Sequence, residues 1–129
     1  MHEQSVRSPR ILAGAVLIAC AMLALPVRAH HGWGGYHDSQ FELSGTVETA
    51  VSLAGPHATM RVRASGQVWD VVLAPSARTE RAGLKEGIIP LGAAVKVSGH
   101  RHRDPNKFEV KTERVTWNGK TYAVYPDRK

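Results

Sequence analysis

The sequence predicts an all-β domain: an OB-fold-like five-stranded Greek-key barrel with one short helix and an added C-terminal hairpin strand. Three observations predict it. Five runs place apolar residues on alternate positions, one helical stretch lies between the third and fourth of them, and an Asn-Gly turn precedes a sixth short run. Alternation with period two marks a strand buried on one face. The order strand, strand, strand, helix, strand, strand is that of the OB barrel. A β-sandwich is the competing architecture, in which the helix is an incidental connection.

The first strand starts at Phe41, with Phe41, Leu43, Val47, Val51 and Leu53 against Glu42, Ser44, Thr46, Glu48 and Ser52, and Gly45 marks a bend. After the Gly55-Pro56 break, Ala58, Met60 and Val62 alternate with Thr59, Arg61 and Arg63. Ser65-Gly66 turns the chain into a third strand, Trp69, Val71 and Leu73 against Asp70 and Val72. Pro75-Ser76 opens the helix, with Ser76 as N-cap and Gly83 as its stop. The fourth strand runs from Ala93 to His102, with Val95 and Val97 inward and Lys96, Ser98, His100 and His102 outward. In the fifth, Lys107 to Trp117, the apolar phase slips between Val110 and Val115, which calls for a β-bulge. Trp117-Asn118-Gly119-Lys120 is a hairpin signal, folding a last strand, Tyr122 to Tyr125, onto the fifth.

Three segments precede or make up this domain: 1–29, 30–40 and 41–129. Residues 1–29 read as a secretory signal, with Arg7 and Arg10 in the head, an apolar run from Ile11 to Leu25, and small residues Val27 and Ala29 before the cut. No Arg-Arg pair precedes the run, so the Sec route fits better than the twin-arginine one. Residues 30–40 form a Gly/His-rich N-terminal segment, and 41–129 the barrel. Leu17-Ile18-Ala19-Cys20 also resembles a lipobox, which would make Cys20 a lipidated terminus. Ala21 to Leu25 continue the apolar run where a lipoprotein turns polar, which favours the cut after Ala29. The expected product is a periplasmic domain of residues 30–129, soluble rather than membrane-inserted.

That product carries 14 Lys and Arg against 10 Asp and Glu, since the leader removes Arg7, Arg10, Arg28 and Glu3 from totals of 17 and 11. A net charge of +4 is mildly basic and does not indicate nucleic acid, which an exported domain rarely meets. Cys20 is the only cysteine and leaves with the leader, so neither disulfide nor thiolate remains. Met60 is the sole remaining methionine, which argues against a methionine-type Cu(I) carrier.

Cutting after Ala29 makes His30 the first residue. A free α-amine titrates near 7.7 to 8, far below lysine, so near neutral pH it gives a lone pair to a metal at little cost. The His30 imidazole closes a chelate ring with that amine, and His31 adds a second imidazole. With nitrogen donors only, the order of divalent affinities puts Cu(II) first and Zn(II) second. The barrel's first strand pairs antiparallel with its fourth, which carries the tail towards His100 and His102. His57 lies at the other end of the first strand and joins only if the tail or its loop folds across. Flanking Arg101 and Arg103 place His102 in a solvated basic run, and His37-Asp38 reads as an oriented histidine or simply a turn.

Ala29-His30-His31, Gly45-Thr46-Val47, Pro56-His57-Ala58, Trp69 to Gly83, Leu84-Lys85-Glu86-Gly87 and Val95 to His100 resemble a bacterial family of exported small domains, domain of unknown function 6152. That family's pattern has a His-His start, an Asn-Pro-His-Ala turn and a Gly-His after the fourth strand. The resemblance therefore implies His30, His31, His57 and His100 as the metal set. It implies no activity. The chain departs from the pattern at Gly55, at Gly32-Trp33, where the family has Ser-Phe, and by extra residues around Ile88 to Leu91.

Three function classes follow. One is a periplasmic copper-binding protein acting in metal handling through a histidine brace. Another is a metal-free OB module whose Arg61, Arg63, Trp69 and Arg101 face binds an anionic ligand or an envelope protein. The third is a copper oxidase or monooxygenase, for which Trp33 and Tyr36 offer too little flat aromatic surface to grip a polysaccharide. No serine, cysteine or paired-carboxylate constellation indicates hydrolysis.

Overall fold

The computed structural model describes residues 32–128. The expected leader with Cys20, and His30 and His31, lie outside the described residues. Six strands and one helix follow: β1 Phe41–Ser52, β2 Thr59–Ala64, β3 Gln67–Val72, α1 Ser76–Arg81, β4 Ala94–Arg101, β5 Glu109–Trp117 and β6 Lys120–Ala123. They form one sheet in the order β3-β2-β1-β4-β5-β6, and a parallel pairing of β3 with β5 closes the first five into a barrel. β6 stands outside the ring, antiparallel to β5. Asn118 and Gly119 both take positive φ, 50° and 75°, the type I′ geometry that suits a two-residue hairpin.

Alternation determines what fills the barrel. Leu43, Val47 and Val51 of β1, Met60 and Val62 of β2, Trp69 and Val71 of β3, and Val95 and Val97 of β4 all point inward and are buried. Val110 and Val115 of β5 complete the ring, while Leu73, Leu84 and Ile89 close its helix side. Burying one such side chain contributes about 1.5 to 3 kcal/mol. No metal ligand takes part in this core. The barrel is therefore expected to unfold cooperatively in the presence of a chelator, and a featureless thermal melt under those conditions would refute it.

Local details correct the sequence reading at two points. Ser76 does not cap α1: Pro75 occupies the cap position without a side-chain bond, and the Ser76 hydroxyl donates 2.5 Å to the carbonyl of Leu53. The serine thus ties the helix start to the end of β1 instead of satisfying its own helix. Gly45 does more than allow a bend, because an added Cβ there would stand 2.2 Å from the Arg63 carbonyl oxygen of the neighbouring strand. The expected bulge is present in β5. Ser98 pairs with Arg114 and Gly99 with Thr112, leaving Glu113 as the extra residue. Among the described residues, no helix is long and apolar enough to cross a membrane.

Candidate functional site

Glu113 and Lys111 bring charge into the most buried stretch of β5. Glu113 sits in the bulge with a fully buried side chain, and Lys111, two residues earlier, is only 2% exposed. Lys111 pairs directly with His100 across the β4–β5 ladder, so the two side chains share a face. By alternation with Val95 and Val97 that face is the outer one, as the sequence predicts. His100 is nevertheless buried, because the segment around Trp33 and the chain after β6 cover it. Tyr36 bridges to His102, His37 N donates to the Arg101 carbonyl at 2.9 Å, and Tyr125 N donates to Glu113 O at 3.2 Å. Both ends of the described chain thereby lie against one patch of the barrel.

His100 is the centre of that patch. Its Nε2 lies 2.6 Å from Glu113 Oε1, and its Nδ1 2.8 Å from the carbonyl oxygen of His37. Both partners can only accept, and a ring nitrogen that donates to either of them has no lone pair left for a metal. Glu113 also accepts from Gln40 at 3.2 Å, from Arg128 at 3.2 Å and from Arg114 at 3.3 Å. Burial alone would raise the Glu113 carboxyl, but the hydrogen bonds from His100, Gln40 and Arg128 and the charge of His100 outweigh it and hold the group below its ordinary value.

His57 reaches the same patch by a route that the order of strands does not reveal. Leu73 N donates to Ala58 O, and Ala58 N to Ala74 O, each at 2.9 Å, which zips the start of β2 to the end of β3. The β3–β5 closure then sets Val72 beside Lys111. As a result His57 Nδ1 stands 3.1 Å from Leu73 O and 3.2 Å from Lys111 Nζ. In the tautomer that donates Nδ1–H to Leu73 O, Nε2 keeps the lone pair. Burial pulls the Lys111 ammonium down, with the Glu109 charge opposing.

The beginning of the described chain packs on this lysine. A Cβ on Gly32 would lie 3.1 Å from Lys111 Nζ, and the Trp33 ring centroid is 5.6 Å from the same nitrogen. Trp33 also meets the His100 ring edge-on at 5.5 Å and Tyr125 at 5.2 Å. The structure thus brings His57 and His100 to opposite sides of Lys111. The sequence reading singles out neither the lysine nor Glu113, although three charges inside the phase slip between Val110 and Val115, Lys111, Glu113 and Arg114, are the available signal. Among the described residues, no three His, Cys, Asp or Glu side chains group as a metal would require.

The remaining sequence candidates have other work. His102 Nδ1 accepts from Asp104 N at 3.0 Å, and its ring lies edge-on to Tyr36, so it is half-buried rather than part of a solvated run. His37 contributes its backbone carbonyl, not its ring, and Asp38 lies in a bend. On the proposed anion face, Arg61 pairs with Asp70 at 2.9 Å and Arg63 with Glu48 through two bonds. Arg101 stacks over Trp69 at 5.0 Å and Phe108 at 5.7 Å.

Fold and site together define a small OB-like barrel that gathers both ends of the described chain over one outer patch of β4 and β5. The chain belongs to a family of unknown function, DUF6152, whose model matches residues 17–111. The match takes in His30, His31, His57 and His100 and stops at Lys111. No curated protein matches the chain.

Proposed function

We propose that this protein is an exported, periplasmic metal-binding protein that takes one Cu(II), with Zn(II) as second choice, and acts in metal handling. The donors are the α-amine and imidazole of His30, with His31 and His57 completing the set. One observation carries this reading. Gly32, the first described residue, lies against Lys111 Nζ, which itself stands 3.2 Å from His57, so the described chain begins beside a histidine. His100 is assigned to anchoring rather than ligation, because both its nitrogens are committed to His37 and Glu113. The metal-free anion-binding alternative loses support from the same geometry, since the arginines it needs are paired or stacked.

The test is calorimetric titration of Cu(II) into protein starting at His30 and into the same protein with its His30 amine acetylated. Acetylation turns the amine into an amide without supplying another, and loss of a linked donor is expected to weaken binding by about a hundredfold. Affinity must also fall as the pH drops through the imidazole and amine values, about 6.5 and 7.7 to 8, because both donors bind deprotonated. Equal affinity with and without the acetyl group would exclude the terminal chelate.

A further inference from the structure

We propose that the cleft between α1 and the end of β6 is a binding site for a small, soluble phosphate monoester, held by Arg78 and Arg81. The cleft measures about 310 Å³ and is lined by Arg78, Arg81 and Ala82 on one side and by Ala123, Val124 and Pro126 on the other. That volume is at the lower end for small-molecule sites. No histidine lines it, so the inference stands apart from the metal reading above.

Among the described residues, every other arginine side chain has a polar partner. Arg61 pairs with Asp70, Arg63 with Glu48, Arg103 with Asp38, and Arg114 and Arg128 with Glu113, while Arg101 donates to the Pro105 carbonyl. The Arg78 and Arg81 guanidiniums meet neither carboxylate nor carbonyl there, and Arg78 only faces the Tyr125 ring, at 5.3 Å. Three positions apart on the helix, the two share one side of it, and both are exposed. Glu80 does not line the cleft. Basic residues in a last turn also balance the helix's own C-terminal charge, but that is roughly half an elementary charge. Two full charges leave a surplus for a ligand. A phosphate monoester carries about −1.5 to −2 at pH 7, which matches two guanidiniums, and its oxygens accept their forked N–H donors in pairs. A carboxylate brings a single charge. Ala82, Ala123, Val124 and Pro126 offer an apolar wall for the carbon body of the ester. The exposed large apolar residues, Ile88, Leu91 and Phe108, lie off the cleft, so it suits a soluble ligand rather than a lipid surface.

The experiment titrates butyl phosphate, inorganic phosphate and butyrate into the protein, followed by amide NMR shifts. Butyl phosphate is expected to move the amides of Ala82, Ala123 and Val124 and to bind about tenfold more tightly than inorganic phosphate, because its carbons leave water against the apolar wall. Butyrate should bind more weakly than butyl phosphate. Arg78→Gln and Arg81→Gln should each weaken butyl phosphate about tenfold, the scale of a hydrogen bond to a charged group, while Arg61→Gln, on the far side of the barrel ladder with its own carboxylate, changes nothing. Wild type whose amides stay unmoved overturns the site. So does equal weakening by Arg61→Gln, which would mark attraction to net charge alone. Butyrate binding as tightly as butyl phosphate overturns the phosphate assignment. Capture by phosphatidic acid vesicles without any response to butyl phosphate overturns the soluble ligand. If either arginine variant fails to fold, the wild-type shifts and the ranking of the three probes decide the matter.

Discussion

Glu113→Ala is expected to destabilise the barrel by about 3 to 5 kcal/mol, the cost of breaking a buried ion pair by removing one partner. The carboxylate is fully buried and accepts from His100, Gln40, Arg114 and Arg128. Without it the His100 ring stays buried with no carboxylate beside its Nε2, and the segments that carry Gln40 and Arg128 lose a common anchor. Glu113→Gln keeps the volume and separates charge from packing. The pH dependence has a definite sign. Hydrogen bonds hold the folded carboxyl below its ordinary value despite burial, so its stabilisation is complete above the unfolded glutamate value, about 4.3, and is lost as the pH falls through the lower folded one. Denaturant melts from pH 7 downward should therefore show wild type losing stability in acid more steeply than Glu113→Gln. Parallel acid limbs, or a loss below about 1 kcal/mol in Glu113→Ala, would show that the pair is not a keystone.

Gly99→Ala should be almost as damaging. A Cβ at Gly99 would stand 2.1 Å from the Lys111 carbonyl oxygen and 2.9 Å from Thr112 Cα, both backbone atoms that cannot rotate aside. The clash falls at the bulge, where Gly99 pairs with Thr112 and Glu113 is squeezed out of register. Overpacking against fixed backbone costs about 3 kcal/mol, which lowers the melting temperature of a domain of this size by roughly 12 to 24 °C. Gly66→Ala separates steric from conformational effects. Gly66 has φ +76° but open space around it, so only the left-handed backbone penalty of about 1 to 2 kcal/mol applies. Equal melting temperatures for the two variants would show that the barrel yields at Gly99 and that the close approach is not obligatory.

The sequence by itself determined the strands, the helix and the barrel. Leu43, Val47 and Val51, or Val95 and Val97, must face one way because successive side chains leave a strand on opposite sides, and apolar residues on one side can only be buried there. It also determined the hairpin, since Asn118 and Gly119 tolerate the positive φ that a two-residue turn demands. The broken phase between Val110 and Val115 announced a bulge. The histidine-rich start is likewise a property of the chain order, read without coordinates.

The site was legible only in fragments, because its chemistry depends on who meets whom. Nothing local to Gly99-His100 says that an outward strand position will be roofed over by Trp33 and by the segment after β6. That covering turns a solvated imidazole into the partner of a buried carboxylate. The sequence left His57 conditional on a loop folding across. The actual cause was the parallel β3–β5 pairing, which closes the ring and sets Val72 beside Lys111. Barrel closure is a long-range pairing, decided by how five strands share one core and not by any stretch of a few residues. Nothing local marks Lys111 and Glu113 for burial. Only the docking of the Trp33 segment and of the segment after β6 on the bulge removes water from them, and with water gone their contacts hold both segments in place.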